Sequence, residues 1–338
     1  MTSSRSAMEA VDTALSAPWG GISNIADLDG DMHWVDFGGP EGVDFGGPEG
    51  VDFGGPEGVD FGGPEDSTPI VLVHGLGGSH LNWVRVAPTL AKHTRVYAVD
   101  LPGFGLTQAH GRTTHIQANA ALLNRFIDTV VGKPVILFGN SMGGMVSALA
   151  TAARPDSVAG LVLVDPALPL PIRIPDPVIA AQFLVYALPY VGEQAMSLGR
   201  RTMTDEQLAT QMTNLCFVDP ARADSEVVAA GAALAKIRRG FATQDADFLQ
   251  AARSLLTVLA RPQKYRKALR DISAPTLLLH GERDRLVSVA AARAAAAAHP
   301  HWTTIILGDT GHTPQLELPD EFNRHVLAWL SHTRLITI

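Results

Sequence analysis

Apolar and polar positions follow two different rhythms along the chain. From Pro69 onward, short unbroken apolar runs (Ile70 to Val73, Val96 to Val99, Val135 to Phe138, Gly160 to Val164, Thr276 to His280, Thr303 to Leu307) alternate with helix-compatible segments. The helical stretches lie near Leu81 to Lys92, Thr114 to Val131, Met145 to Ala150, Val289 to Ala298 and Asp320 to Ser331. Continuous Val/Ile/Leu strands separated by helices belong to a parallel sheet covered on both faces. Upstream, Ile22 to Leu28 and Met32 to Phe37 alternate around the turn Asp29-Gly30-Asp31 and predict an antiparallel hairpin. The expectation is an α/β fold with an eight-stranded, mostly parallel sheet and helices on both faces.

Two segments interrupt this rhythm. Between Asp165 and Asp271 no strand pattern occurs; the stretch opens with Pro166, Pro169, Pro171, Pro175 and Pro177 and continues as helical sequence. It is far longer than the usual connection of about 2–6 residues, so residues 166–271 are expected to form a helical cap, inserted after strand 6, over a core of residues 23–165 and 272–338. Residues 1–22 read as an extension, a short amphipathic helix ended by Pro18 and Gly20-Gly21. The second interruption is a repeat within residues 35–66: Val-Asp-Phe-Gly-Gly-Pro-Glu starts at Val35, Val43, Val51 and Val59. Each copy offers two apolar side chains and then breaks any element, so the repeat cannot build a core and reads as a tandem expansion at the sheet edge.

Composition narrows the function classes. The chain has 338 residues, 46% of them hydrophobic, a formal net charge of −8 and a pI near 5.8, with no basic stripe interleaved with aromatics. Nucleic acid is not an expected partner. One cysteine, Cys216, excludes an internal disulfide and reads as a small buried hydrophobe. The N-terminal residues contain no continuous apolar signal core, and the most apolar run, Val178 to Leu188, is too short to span a bilayer, so a cytoplasmic location is expected. That same run is apolar almost all round. The cap around it carries 13 Lys/Arg against 10 Asp/Glu, which allows a peripheral, weak association with lipid surfaces. The alternative is a helix buried on the core beside a solvated basic face.

The chemistry concentrates at strand ends. Gly139-Asn140-Ser141-Met142-Gly143 lies between the run ending at Phe138 and a helical segment, the strand–turn–helix context in which a serine is strained and projects above the sheet. His74-Gly75-Leu76-Gly77-Gly78 follows another strand and can aim a backbone N–H at a developing oxyanion; Leu76 N–H and Met142 N–H are the candidate donors, with Gly75, Gly139 and Gly143 permitting close approach and His74 bracing the turn. A serine needs a base and a group to orient that base. His312, in the loop Gly311-His312-Thr313-Pro314 past the last strand, is the candidate base. Asp284, in Gly281-Glu282-Arg283-Asp284, is the candidate acid; Asp165 is its rival, and Glu282 and Asp309 read as ordinary loop carboxylates.

The order Ser141, Asp284, His312, together with the His74-Gly75 turn, resembles the α/β-hydrolase superfamily, in particular its serine-nucleophile, esterase/lipase-like bacterial branch. The resemblance covers roughly residues 22–335, and Asp100-Leu101-Pro102-Gly103-Phe104-Gly105 is similar to the superfamily's usual loop there, with Asp100 structural. It implies hydrolysis of a small-molecule ester through an acyl-serine, with no metal or organic cofactor; the apolar Val178 to Leu188 run in the expected cap adds a preference for apolar acyl groups. The elbow Gly139-Asn140-Ser141-Met142-Gly143-Gly144 also resembles that of the meta-cleavage-product C–C hydrolases, although Thr313 stands where that group has Trp after the histidine. C–C bond hydrolysis and non-catalytic ligand binding on the same fold are the alternatives.

Overall fold

The computed structural model describes residues 15–40, 67–169 and 176–337. Three copies of the repeat and residues 1–14 of the extension, where most of the helix expected within residues 1–22 falls, lie outside the described residues; within them the extension forms a short 3-10 turn, Ala17–Trp19. The first copy enters the sheet, because Val35 and Phe37 are buried while Asp36 pairs with Arg95 at 2.6 Å.

The strands are β1 (Ile22–Asp27), β2 (Asp31–Asp36), β3 (Ile70–Val73), β4 (Val96–Val99), β5 (Val135–Asn140), β6 (Val158–Val164), β7 (Thr276–Gly281) and β8 (Thr303–Leu307). They form one eight-stranded sheet in the order β1-β2-β4-β3-β5-β6-β7-β8. β1 and β2 make the antiparallel hairpin, β2 pairs antiparallel with β4, and every later pair is parallel. Because side chains alternate across a strand, neighbouring residues serve opposite layers. Val71, Val73, Leu137, Leu161 and Leu163 pack on one face under the helices Ile116–Phe126 and Met142–Ala153. Ile70, Leu72, Ile136, Phe138 and Val162 pack on the other, against Trp83, Leu90 and the helix Pro319–His332. This double burial is why the runs read as continuously apolar.

The helix expected near Leu81 to Lys92 is broken into a 3-10 turn, His80–Asn82, and a single helical turn, Ala87–Leu90. Ser79 and Asn82 close a capping box that starts the first piece locally, and Pro88 is confined to the start of the second. Between Pro166 and Asp271 the described residues form the helices Pro177–Ala187, Val191–Thr202, Asp205–Cys216, Ser225–Arg238, Gln244–Ala260 and Gln263–Asp271. The last of these lies on the sheet layer, where Tyr265 and Leu269 join the core. The others rise above the strand ends, tied down by Arg238 to the carbonyls of Gly103 and Gly105 at 2.8 Å each and by Thr114 to Asp247.

Candidate active site

Four adjacent parallel strands, β5 to β8, each deliver one candidate residue from their carboxyl ends, where open α/β sheets carry their sites. Ser141 joins β5 to the helix Met142–Ala153 with no intervening loop and is forced to φ 55°, ψ −118°. A non-glycine residue with that backbone stores strain. It is held by Ser141 N–H donating to Val164 O at 3.0 Å and by Ala167 N–H donating to Ser141 O at 2.9 Å. The sharp turn needs Gly139 and Gly143: a Cβ on Gly139 would sit 2.4 Å from Gly143 O, and one on Gly143 equally close to the carbonyls of Val73 and His74. The Ser141 hydroxyl itself makes no hydrogen bond among the described residues.

His312 Nδ1 lies 2.7 Å from Asp284 Oδ2, and both residues are buried. Asp284 Oδ1 accepts from Leu286 N–H at 2.7 Å and Val287 N–H at 3.1 Å. Burial alone would raise the Asp284 carboxyl, but the His312 ring, His280 and the Val287 N–H together outweigh that and hold it below the ordinary carboxylate range. An ionised Asp284 requires Nδ1 to donate, and in the neutral ring that tautomer keeps the lone pair on Nε2, the arrangement a general base needs. The other carboxylates are placed differently. Glu282 pairs with Arg293 at 3.1 Å, and Asp309 with Arg222 at 2.6 Å and Arg283 at 2.7 Å, all at the surface. Asp165 is fully buried beside the pair.

The turn after β3 touches the elbow: a Cβ on Gly75 would be 3.1 Å from Ser141 Cβ. Met142 is the first residue of its helix, so its N–H has no intrahelical acceptor. Neither Leu76 N–H nor Met142 N–H is spent on an acceptor among the described residues. His74 accepts Leu101 N–H on Nε2 at 3.0 Å and approaches Gly75 O with Nδ1 at 2.7 Å. Burial pushes its pKa down to about 4, so a neutral ring with the proton on Nδ1 braces the turn. Behind it, Asp100 takes His33 Nδ1 at 2.9 Å and His80 Nδ1 at 3.0 Å. Burial opposes its charge, but the two imidazoles hold Asp100 well below the ordinary range. These three residues could in principle ligate a metal, as could Asp165, Asp284 and His312, yet in both groups the short contacts are hydrogen bonds within the group.

Two residues that the sequence reading passed over build the site. Asn140 Nδ2 donates to Val164 O and His312 O, each at 3.1 Å, stitching elbow to histidine loop. Glu317, buried in a short turn, accepts Gly311 N–H at 2.8 Å, Val218 N–H at 2.9 Å and Asp219 N–H at 3.2 Å, and pairs with Arg222 at 3.1 Å. It locks the histidine loop to residues 216–222, where Cys216 O also accepts His312 N–H at 2.6 Å. A Glu at the start of a helix reads as solvated, so only its spacing after Gly311-His312 could have singled it out. Cys216 is half-buried, and burial pushes its thiol up to about 12, far from a reactive thiolate.

A cavity of about 610 Å³ lies between the helices of residues 177–245 and the loops after β3 and β8. Val185, Met196, Leu208, Met212 and Val227 line it from the helices, Gly77 and Gly78 from the turn after β3, and Thr313 and Leu316 from beside His312.

The fold and the strand-end constellation define a hydrolase-type α/β protein. Residues 68–319 match the sequence profile of the alpha/beta hydrolase fold, and the chain belongs to that family. It is 28% identical to the dihydrolipoyllysine-residue acetyltransferase component of the acetoin cleaving system of Pseudomonas putida, over 78% of this chain and 63% of that protein, so it spans less than two thirds of that relative. It is 27% identical to a pimeloyl-(acyl-carrier protein) methyl ester esterase of Aeromonas hydrophila, over 75% of this chain and 91% of that one. A 2-hydroxy-6-oxononadienedioate/2-hydroxy-6-oxononatrienedioate hydrolase of Klebsiella pneumoniae is 28% identical over 78% of this chain and 86% of its own. Among solved structures, a thermophilic esterase from Thermogutta terrifontis superposes with a TM-score of 0.62 at 21% identity, over 93% of this chain and 98% of the other, which shows the shared fold. No helix among the described residues is long and apolar enough to cross a membrane.

Proposed function

We propose that this protein is a serine hydrolase that cleaves carboxylic esters with apolar acyl groups through an acyl-enzyme on Ser141. The observation that carries the reading is the buried 2.7 Å His312–Asp284 contact on the loops beside a strained, unbonded Ser141. In the mechanism, His312 Nε2 takes the Ser141 proton, the alkoxide attacks the ester carbonyl, and the amides of Leu76 and Met142 hold the oxyanion. Met142 adds the positive end of its helix at the point where negative charge develops. Asp284 keeps the proton on Nδ1 and stabilises the imidazolium; the alcohol leaves with the proton from Nε2, and water then repeats the cycle on the acyl-serine. The apolar cavity wall supports the acyl preference.

The residues that supply this chemistry come from 23–165 and 272–338; residues 166–271, acting as a cap, supply most of the lining of the cavity that reaches Thr313 beside His312, and that lining is assigned the choice of acyl group. The cap also presents Val178, Leu184, Leu188, Tyr190, Val191 and Leu198 to solvent at 46–82% exposure. A patch of that kind supports weak association with a lipid surface. C–C bond hydrolysis is the second reading, favoured by the Klebsiella relative and the Gly139 to Gly144 elbow. Parallel assays with p-nitrophenyl esters and with a 2-hydroxy-6-oxo-dienoate separate the two, and turnover of the dienoate alone would reject the ester reading.

A further inference from the structure

The Asp284–His312 pair does not exhaust the buried acids at this site. Asp165, Asp284 and His312 each present one polar atom, all within 4.8 Å of one another, and all three residues are buried. Asp165 Oδ1 accepts Gly281 N–H at 2.9 Å and lies 3.5 Å from His280 Nδ1, while Oδ2 has no partner among the described residues. Two carboxylates this close in a dry interior do not both ionise. The donors decide which one carries the proton. Asp284 receives Nδ1–H and two backbone N–H groups, whereas Asp165 receives only one, so Asp284 is the anion and Asp165 the acid. Burial, and then the Asp284 charge, push the Asp165 carboxyl well above its ordinary range, with Glu317 acting in the same direction. The backbone fixes Asp165 relative to the nucleophile: its φ is 43°, and its neighbours Val164 and Ala167 hold both backbone groups of Ser141.

We propose that Asp165 is a reserve acid for His312, a positioning residue that is silent while Asp284 holds the imidazole and takes over Nδ1–H when the Asp284 carboxylate is removed. The inference rests on the reading of His312 as the base. Closing from within 4.8 Å to hydrogen-bond distance takes a shift of about 2 Å, which the space left by a truncated Asp284 side chain allows. No co-reactant is needed. Asp165 releases its proton to solvent, its carboxylate accepts Nδ1–H, and Nε2 still takes the Ser141 proton.

The test is a double-mutant cycle over wild type, Asp165→Asn, Asp284→Ala and the double variant, read as the rate of Ser141 labelling by a fluorophosphonate and as kcat for a p-nitrophenyl ester. The isosteric Asp165→Asn alone should change either rate by less than about 3-fold. Asp284→Ala should lose about 10–10²-fold, and adding Asp165→Asn should take the loss to the roughly 10⁴-fold typical of a missing triad acid. Equal effects of Asp165→Asn in both backgrounds would overturn the proposal, as would a full 10⁴-fold loss in Asp284→Ala alone. Asp284→Ser, which also removes the carboxylate and vacates its space, serves as the second background if the alanine variant unfolds by circular dichroism. If Ser141→Ala retains wild-type rates, it is the serine-hydrolase reading that fails, and the two failures are therefore distinct.

Discussion

Replacing Glu317 by Gln tests how the histidine loop is held. Its two carboxylate oxygens serve four donors: Oε2 takes Gly311 N–H at 2.8 Å, and Oε1 takes Val218 N–H, Asp219 N–H and Arg222 Nη1 between 2.9 and 3.2 Å. A glutamine has one acceptor oxygen, so its amide NH2 must point at one of these two sets of donors. In the better orientation the NH2 faces Gly311 N–H, which leaves that buried group unpaired at a cost of about 1–3 kcal/mol. The three contacts on the other oxygen lose their charge assistance, and the total destabilisation comes to about 3–5 kcal/mol. Against an ordinary stability of about 5–15 kcal/mol that is a large fraction. Urea unfolding should show it as a lower midpoint with unchanged slope. The exposed Glu282→Gln, which breaks only a surface pair with Arg293, should stay within about 0.5 kcal/mol. A Glu317→Gln shift below about 1 kcal/mol would refute the view that this carboxylate clamps the histidine loop to residues 218–222.

Three further outcomes are expected. His74 has a folded pKa of about 4, below its unfolded 6.5, so its contribution is fully present above about pH 6.5 and is lost as pH falls toward 4, by about 3 kcal/mol at the acid limit; His74→Gln should show a shallower acid limb in pH-dependent urea melts, and an unchanged limb would contradict this. Deleting residues 42–65 leaves one repeat copy joined to Asp66 and should preserve Tm and esterase turnover, since shortening a loop changes closure entropy only slightly and removes no site residue; loss of either would show that the repeat has a role. Octanoyl to dodecanoyl p-nitrophenyl esters should have higher kcat/KM than acetyl, and sedimentation with anionic vesicles at low salt should recover part of the protein; best turnover of acetate contradicts the first, and no co-sedimentation contradicts the second.

The inner strands were legible because a parallel sheet buries both faces and leaves no polar alternation: Ile70 to Val73 and Val96 to Val99 end where the sequence pattern ends them, and so does the half-buried edge strand Thr303 to Leu307, whose β-branched run carries the signal. The run Leu81 to Lys92 was misread as one helix because its apolar spacing reflects packing of Trp83, Val86 and Leu90 onto the sheet, while the local Ser79–Asn82 cap and Pro88 set the backbone. At the site, Ser141, Asp284 and His312 were legible because each sits in a short Gly-rich or loop signature just past a strand. Asn140 and Glu317 were not. Their roles depend on carbonyls and amides brought together from residues 164, 218, 311 and 312, which no local pattern announces. The Asp165 position was legible as a rival acid, but only the tertiary hydrogen bonds assign Nδ1 of His312 to Asp284.

The central claim is that Ser141 is an activated nucleophile. The most direct measurement is intact-protein and peptide mass spectrometry after treatment with a fluorophosphonate. The account predicts one adduct per chain, on the peptide that contains Ser141, formed together with loss of p-nitrophenyl ester turnover and absent from Ser141→Ala and His312→Ala. An unlabelled Ser141 in a protein that still hydrolyses the ester, or an adduct confined to another residue, would contradict it.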